Sequence, residues 1–405
     1  MRPAGFDGPV SPLPPVSMNP RLTPAQQAIR EEALQVCARF DDDYWLARDE
    51  DGVFPEAFCR ALADAGFIGT AVPETYGGRG LGTVEAALVV QAISESGAAN
   101  SGVSAIAVGL FGLKPLLRHA SEAQRLRWVP RLIRRDDIAC FGVTEPSTGH
   151  DTTRLKTRAV REGDHYHVSG EKVWISTAQQ ANKIMLIART TPIEETARPM
   201  DGLSLFYTDL DRRYVEIRKI DKMGRACVDS NQIYFDGLPV PVADRIGEEG
   251  RGFRYLLEGL NAERILIAAG LVGLGRAALR RAIDYAKTRK VFGRAIGQNQ
   301  AIQHPLAANW ARLEAANLLA LDTAGRFDRG EDCGAEANAA KYLAAEAAFS
   351  TCNDAILTLG GNGYATAFHV ERYLREVMIH RIAPISPQLI LSHIAERVLG
   401  LPKSY

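Results

Sequence analysis

The chain has 405 residues, of which 46% are hydrophobic, enough for two or three subdomains with substantial cores. Lysine plus arginine and aspartate plus glutamate each number 48, so the formal net charge of zero argues against nucleic acid or an anionic membrane as the main partner. The sequence has no apolar run of membrane-spanning length and no metal-ligand spacing, and its six scattered cysteines are typical of packed thiols in a cytoplasmic protein.

The N-terminal part of the chain predicts a short tail followed by helices. Residues 1–20 contain six prolines and no apolar core, so we expect a disordered tail rather than a secretory signal. Thr23, Pro24 and Gln26 then form a capping-box pattern that predicts a helix start. A glycine-rich loop ends at Gly82, and we expect Thr83 to cap the next apolar helix. The region 21–140 is therefore predicted to be an α-helical domain.

The middle of the chain changes to the alternation that is typical of strands. Short apolar stretches bounded by Gly, Asp or Pro predict strands at 165–168, 183–190, 203–207, 215–220 and 232–235. Together they predict a β domain over residues 141–246, within the usual size of a domain.

Long helical patterns return after residue 246. They predict helices at 253–289, 300–329 and 334–359 and a final pair that ends near residue 399, in a domain of residues 247–405. The order of all-α, all-β and all-α blocks indicates an α+β protein rather than a doubly wound parallel sheet. The glycines of the 360–363 run follow a helix and not a strand, which favours a helix C-cap over a dinucleotide fingerprint.

Two short runs in the β region carry side chains suited to a planar ligand. The first, FGVTEPSTGHD at 141–151, is a tight turn that includes the hydroxyl of Thr144. The second, VWIS at 173–176, ends a predicted strand with the aromatic face of Trp174 beside the hydroxyl of Ser176. An aromatic face with adaptable hydrogen-bonding groups fits a heteroatom-rich ring. The alternative is a buried corner of the core without a ligand.

Seven motifs in order resemble the acyl-CoA dehydrogenase family over residues 23–401. Besides the two runs above, they are AVPETYGGRGLG at 71–82, GEEGRGFRYLLEGLNAERI at 247–265, RKVFGRAIGQNQAIQ at 289–303, LGGNGY at 359–364 and ERYLREVMIHRI at 371–382. The resemblance implies an N-terminal helical domain, a middle β-barrel or sandwich domain and a C-terminal four-helix bundle. It also implies bound FAD and an acyl-CoA substrate.

By the same resemblance, a set of side chains surrounds the FAD. Phe141, Val143 and Thr144 would line the flavin, Trp174 would pack against the isoalloxazine ring, and Ser176 would lie near flavin N5. A more distant set would reach the adenosine and pyrophosphate, in part across subunits, namely Arg289, Phe292, Gln300, Gly360, Gly361, Asn362, Gly363, Ser386 and Gln388. Without a ligand, the alternatives are a surface ion pair for Arg289 and a helix cap for the glycines.

The expected catalytic base departs from the commonest pattern of the family. Many relatives carry a glutamate where this chain has Pro384, which cannot accept a proton. Isovaleryl- and long-chain-type relatives place the glutamate in a Leu-x-x-Glu-Arg pattern, which residues 260–264 match, so Glu263 is the candidate base. The alternative is an ordinary helix glutamate paired with Arg264. Asn261 and Arg264 are expected near the acyl-CoA.

His150 replaces a serine that relatives often carry near the CoA entrance. We consider three roles for it: a hydrogen bond to CoA, tuning of the pocket, or a cap for the turn. It is included among the expected substrate-binding residues.

The resemblance implies dehydrogenation of an acyl-CoA to trans-2-enoyl-CoA by a cytoplasmic homotetramer, with an electron-transferring flavoprotein as acceptor. Two alternatives are a flavin oxidase of the same fold that uses oxygen and a flavin- or CoA-binding paralogue without catalysis. No metal, nucleic acid or membrane segment is expected.

Overall fold

Helices and strands occupy separate blocks of the chain in the computed structural model, which describes residues 22–404. The predicted tail at 1–20 lies outside the described residues. The first block contains α1 (Pro24–Cys37), α2 (Asp42–Asp51), α3 (Glu56–Asp64), α4 (Thr83–Ile93), α5 (Ala99–Ala105), α6 (Ala107–Phe111), α7 (Leu113–His119) and α8 (Glu122–Ile133). The helical N-terminal domain is thus confirmed.

The capping box at the start of α1 forms as the sequence predicts. The backbone N–H of Gln26 donates to Thr23 Oγ1 at 3.2 Å, and the backbone N–H of Thr23 donates to Gln26 Oε1 at 3.1 Å. Pro24 takes the first helical position, where its missing N–H leaves no donor unsatisfied.

The predicted cap of α4 is wrong. Thr83 is the first residue of the helix, Gly82 holds the cap position, and Thr83 Oγ1 has no hydrogen-bond partner within the described chain. The carboxylate of Asp328 caps the helix instead, because it accepts the backbone N–H groups of Thr83 at 2.8 Å and Val84 at 3.1 Å. A carboxylate binds the N-terminus of a helix more strongly than a hydroxyl does, but only the fold brings Asp328 there.

The middle block forms one eight-stranded mixed sheet. Its strands are β1 (Ala139–Gly142), β2 (Arg158–Glu162), β3 (His165–Ser176), β4 (Lys183–Arg189), β5 (Leu203–Asp209), β6 (Val215–Lys219), β7 (Ser230–Pro241) and β8 (Arg245–Ile246). The order across the sheet is β6-β7-β3-β2-β4-β5-β8, and β1 runs parallel to β4.

Strands β3 and β7 are longer than the sequence predicts. They pair in antiparallel register from His165–Pro241 to Ser176–Ser230. The pairing contains two register shifts, one between Val168 and Gly170 and one between Lys172 and Ile175. A bulge interrupts the alternation of inward and outward side chains, so the pattern no longer identifies one continuous strand.

The last block is dominated by three long helices. It contains α9 (Gly252–Thr288), the β9–β10 hairpin (Lys290–Val291 and Arg294–Ala295), α10 (Gln300–Asp328), α11 (Gly334–Leu359), α12 (Val370–Val377) and α13 (Pro387–Arg397). None of the helices within residues 22–404 is both long enough and apolar enough to cross a membrane.

Helix α9 lies at the centre of the molecule because small residues let its neighbours approach closely. A Cβ on Gly273 would lie 2.3 Å from the carbonyl oxygen of Gln91 on α4, and one on Gly275 would lie 2.5 Å from Leu313 on α10. A larger residue at 273 would require backbone movement, and one at 275 would require the Leu313 side chain to shift. These contacts fix α9, the helix that carries Glu263, against helices of both helical domains.

Candidate active site

The two sequence runs that suggested a ring platform are in direct contact. The backbone N–H of Val173 on β3 donates to the carbonyl oxygen of Thr144 at 2.8 Å. The turn itself closes through an N–H of Thr148 that donates to the carbonyl oxygen of Glu145 at 3.1 Å. The hydroxyl-bearing turn and the Trp174 strand end therefore form one continuous wall.

A buried ion pair holds this wall together. Lys172 Nζ donates to Glu145 Oε1 at 2.9 Å and to the carbonyl oxygen of Val143 at 3.0 Å. Burial lowers the pKa of Lys172 to about 8. Burial alone would raise the pKa of Glu145, but the charge of Lys172 and the N–H groups of Lys156 and Thr157 lower it. Both groups are charged at neutral pH, and the pair fixes the turn against the strand.

Trp174 points away from the core. It lies in the bulged part of β3 with φ +62°, a region that non-glycine residues rarely adopt, and its side chain is 57% exposed. Bulges redirect side chains next to functional sites. The alternative of a buried core corner is therefore wrong for this residue.

The groups around Trp174 fit a planar, heteroatom-rich ring. The hydroxyls of Thr144 and Ser176 have no hydrogen-bond partner among residues 22–404, and both residues are half-buried. Phe141 and Val143 are also half-buried and pack against the N-terminal core. An exposed indole flanked by two free hydroxyls and an apolar floor offers stacking and hydrogen bonds to the isoalloxazine ring of FAD.

Glu263 on α9 is a carboxylate without a hydrogen-bond or ion-pair partner in the described part of the chain. It is half-buried, and burial raises its pKa, while the charge of Arg264 opposes that rise only in part. Arg264 Nη1 instead donates to Asn261 Oδ1 at 3.1 Å. A carboxylate in such surroundings is a stronger base than one in water, since its charged form is poorly solvated.

The segment around Pro384 is fastened from behind by a buried lysine. Lys341 Nζ donates to the carbonyl oxygens of His380 at 2.6 Å and Ile385 at 2.9 Å. Burial and the neighbouring charge of Arg264 lower the pKa of Lys341 to about 8. Lys341 thus fastens the stretch that holds Pro384 to helix α11 at two carbonyl groups.

Two predicted cofactor residues follow Pro384 on α13. Ser386 forms the N-cap of the helix, where its Oγ accepts the N–H of Leu389 at 3.4 Å, and Gln388 is exposed. The cap leaves the Ser386 hydroxyl proton free to donate.

The remaining predicted cofactor residues lie on exposed parts of the single chain. Phe292 in the β9–β10 hairpin is fully exposed with φ +51°, and Arg289, Gln300, Gly360 and Gly361 are exposed as well. The prediction that glycine caps α11 is confirmed, since Gly360 holds the C-cap with φ +61°.

The two other residues of the 360–363 run face the protein. A Cβ on Gly363 would lie 2.5 Å from the carbonyl oxygen of Ile356, which explains the glycine there. Asn362 Nδ2 donates to Tyr285 Oη at 3.1 Å, so the loop is tied to α9.

His150 is exposed and forms no hydrogen bond within residues 22–404. The turn is closed by backbone and Glu145 contacts, so the role of a cap finds no support. Contact with CoA or tuning of the pocket remains the prediction for this residue.

The sequence analysis did not identify Lys172 or Lys341 as parts of the site, and it gave no role to Glu145 within the 141–151 run. A lysine within an otherwise apolar strand or helix face is the signal that could have revealed them, because lysine is rarely buried without a partner. Their partners lie 27 to 44 residues away in sequence, so only the fold shows what they hold.

Comparison with known proteins agrees with this architecture. The chain matches the N-terminal, middle and C-terminal domains of acyl-CoA dehydrogenases over residues 23–136, 140–238 and 250–399. The acyl-CoA dehydrogenase fadE12 of Mycobacterium bovis is 31% identical over 395 residues, which covers 94% of this chain and 97% of the relative.

Two solved structures share the fold. Butyryl-CoA dehydrogenase from Megasphaera elsdenii aligns with a TM-score of 0.89 at 26% identity, covering 94% of this chain and all of that one. The FAD complex of PigA aligns with a TM-score of 0.88 at 26% identity, covering 95% of this chain and all of that one. With three matching domains and a site that fits FAD, this chain belongs to the acyl-CoA dehydrogenase family of FAD-dependent oxidoreductases.

Proposed function

We propose that this protein removes hydrogen from Cα and Cβ of an acyl-CoA thioester to give trans-2-enoyl-CoA, with Glu263 as the catalytic base. The observation that carries the proposal is the unpartnered, half-buried carboxylate of Glu263 with its raised pKa. The non-catalytic alternative assumes that the chain lost its proton acceptor when proline took position 384. The carboxylate of Glu263 offers another acceptor, which argues against that alternative.

Glu263 would accept the proton from Cα while a hydride leaves Cβ, so that the two C–H electron pairs become one C=C bond and one transferred hydride. A base works best when its pKa lies near the working pH, and burial moves Glu263 in that direction. Asn261 and Arg264 would lie beside the thioester. Asn261 accepts a hydrogen bond from Arg264 Nη1 at 3.1 Å, which directs the guanidinium away from the Glu263 carboxylate. His150 would contribute from the exposed turn.

FAD, when bound, supplies the acceptor for the hydride. Trp174 would hold one face of the ring, with Phe141 and Val143 along its edge. The hydroxyls of Thr144 and Ser176 would donate hydrogen bonds, and donors aimed at developing negative charge lower the barrier. The buried pair of Glu145 and Lys172 would keep these groups in place.

The exposed residues predicted to bind the adenosine and pyrophosphate of FAD would complete the cofactor site in a homotetramer. Arg289, Phe292, Gln300 and residues 360–363 would meet FAD in part across subunits of a homotetramer, with Ser386 and Gln388 at the same cofactor. A fully exposed Phe292 and an 87% exposed Tyr364 support an interface there, since large apolar side chains are rarely left in water together. The six cysteines are all free thiols, which supports the proposal of a cytoplasmic protein.

The decisive experiment is anaerobic titration of the purified holoenzyme with a panel of acyl-CoA thioesters, read by bleaching of the flavin absorbance. Bleaching together with formation of an enoyl-CoA supports the proposed reaction. A yellow protein that no acyl-CoA bleaches would be a binding paralogue, which contradicts the proposal.

The electron acceptor is tested in a second step with the reduced enzyme. We propose electron-transferring flavoprotein as the acceptor, so reoxidation should be fast with it and slow in air. Rapid formation of hydrogen peroxide in air would instead identify an oxidase.

A further inference from the structure

Ser176, whose hydroxyl has no partner among residues 22–404, lies in a strained stretch of backbone. Trp174, two residues before it, and Thr177, directly after it, both have φ +62°, which non-glycine residues adopt only when their surroundings hold them there. Thr177 is 4% exposed, so protein contacts rather than solvent set this conformation. The position of the Ser176 hydroxyl therefore depends on the contacts that hold this segment.

Two buried polar residues beside the start of β7 hold the backbone before and after Ser176. Asn231 Nδ2 donates to the carbonyl oxygen of Ile175 at 2.8 Å. The backbone N–H of Thr177 donates to the carbonyl oxygen of Asp229 at 3.2 Å. Asn231 is fully buried and Asp229 is 5% exposed, so water does not compete for these hydrogen bonds.

The side chains of these two residues are also bonded to each other and to the turn that follows Ser176. Asn231 Nδ2 donates to Asp229 Oδ2, and the backbone N–H of Gln179 donates to the same oxygen at 3.2 Å. Gln179 Nε2 donates to Asn231 Oδ1 at 2.9 Å. Asp229, Asn231 and Gln179, here called the polar clamp, therefore hold the chain from Ile175 to Gln179 in one geometry.

The polar clamp is not arranged for stability alone. Asp229 Oδ1 is buried and has no hydrogen-bond partner among residues 22–404, although a buried carboxylate oxygen without a partner weakens a fold. The strained backbones of Trp174 and Thr177 lower the stability further. Strain and unsatisfied groups that persist in a buried region are typical of functional sites. We therefore looked to Ser176, which the clamp encloses, for the function that it serves.

We propose that Asp229 and Asn231 are positioning residues that hold the Ser176 hydroxyl where it donates to the flavin, and that they thereby set the reduction potential of the cofactor. The inference rests on the proposed function, in which Ser176 lies beside the ring of FAD. A donor there stabilises the negative charge that the ring gains on reduction, so a well-placed hydroxyl favours the reduced flavin. Hydrogen bonds weaken steeply as their geometry degrades, so a small displacement of Ser176 removes much of this effect.

The test measures the flavin reduction potential of the purified holoenzyme by dye-coupled reduction, which needs no acyl-CoA. Ser176→Ala should lower the potential, because the reduced ring loses a donor. Asn231→Leu, which replaces the amide by a hydrocarbon of similar size, should also lower it and should slow bleaching by an acyl-CoA roughly 10- to 100-fold. In the double variant, Asn231→Leu should cause no further shift, because the hydroxyl that it positions is already gone.

Further variants separate position from charge and from folding. Asp229→Asn keeps the shape and an acceptor oxygen, so it should shift the potential less than Asp229→Ala does. Thr208→Val removes a buried hydrogen bond to Asp244 elsewhere in the β domain, and it should lower the melting temperature without a change in potential. Gln179→Leu removes one hydrogen bond at the exposed edge of the clamp and should give a smaller shift of the same sign, which tests the inference even if Asn231→Leu does not fold.

The inference is overturned if the clamp variants leave the potential unchanged, or if the shift of Asn231→Leu adds in full to that of Ser176→Ala. A rise in potential in both Asp229→Asn and Asp229→Ala would assign a direct charge effect and also overturn it. If Ser176→Ala does not move the potential, the inference fails, while the proposed reaction stands as long as an acyl-CoA bleaches the wild-type flavin. If no acyl-CoA does so but the potentials shift as expected, the proposed reaction fails and the inference stands.

Discussion

Arg264 directs its guanidinium to Asn261 Oδ1 at 3.1 Å and leaves the adjacent carboxylate of Glu263 without a hydrogen bond. The ion pair between Glu263 and Arg264 that was considered from the sequence does not form, because adjacent residues of a helix point in different directions. Within residues 22–404 the carboxylate thus has burial that raises its pKa and no partner, which supports the proposed role of Glu263 as base.

The first prediction concerns Glu263 itself. Glu263→Gln should retain FAD but slow flavin bleaching by at least about 100-fold, the usual contribution of a general base. Because the pKa of Glu263 is raised, bleaching in the wild type should increase with pH through a value above the ordinary range of glutamate. Stopped-flow bleaching across pH measures both effects.

The melting temperature of Glu263→Gln also separates a catalytic role from a structural one, because loss of a structural residue would lower it. A carboxylate whose pKa is raised by folding destabilises the protein once it ionises, so Glu263→Gln should keep or raise the melting temperature at neutral pH. Glu258→Gln is the control on the same helix, because it alters only contacts with His119, Arg118 and Arg254 and should bleach normally. Normal bleaching in Glu263→Gln would contradict the assignment.

The second prediction uses the low pKa of Lys341. Its pKa falls to about 8 on folding, below the usual value of about 10.4 for lysine, so the unfolded chain binds the proton more tightly. Relative to Lys341→Met, the wild type should therefore gain stability as the pH rises from about 8 to about 10. Urea unfolding of both proteins at several pH values measures the difference, and a constant difference would exclude the titration.

The third prediction addresses the buried pair of Glu145 and Lys172. Lys172→Met should lower the free energy of unfolding by about 3–5 kcal/mol and reduce FAD content, because it leaves Glu145 charged with only backbone donors. The double variant Glu145→Leu with Lys172→Met should be less destabilised than Lys172→Met alone. Additive losses in a double-mutant cycle would show that the two residues do not act as a pair.

The fourth prediction separates cofactor contact from folding at Trp174. Trp174→Ala should weaken FAD binding by roughly 10-fold or more while the melting temperature of the apoprotein stays within a few degrees, since an exposed side chain contributes little to the core. Trp128→Ala is the matched control. Trp128 is 1% exposed, so its loss should destabilise the fold by about 3–5 kcal/mol. Unchanged FAD affinity in Trp174→Ala would remove the residue from the flavin site.

The sequence by itself determined the α, β, α order, the capping box of Thr23 and the glycine cap of α11, because these depend on local patterns and short-range hydrogen bonds. It also determined the family, through motifs that lie in register along most of the chain. It predicted Glu263 as the base from a five-residue pattern, and that role stays a prediction.

Only the tertiary structure determined features that depend on contacts between residues far apart in sequence. Asp328 replaced Thr83 as the cap of α4, and the bulge in β3 turned Trp174 out of the core. The contacts of Lys172 with Glu145 and of Lys341 with His380 and Ile385 join groups from separate elements of the chain. The hydrogen bonds and the pKa of a buried group depend on its neighbours in space. Many of those neighbours are far away in sequence, so a local sequence pattern does not reveal them.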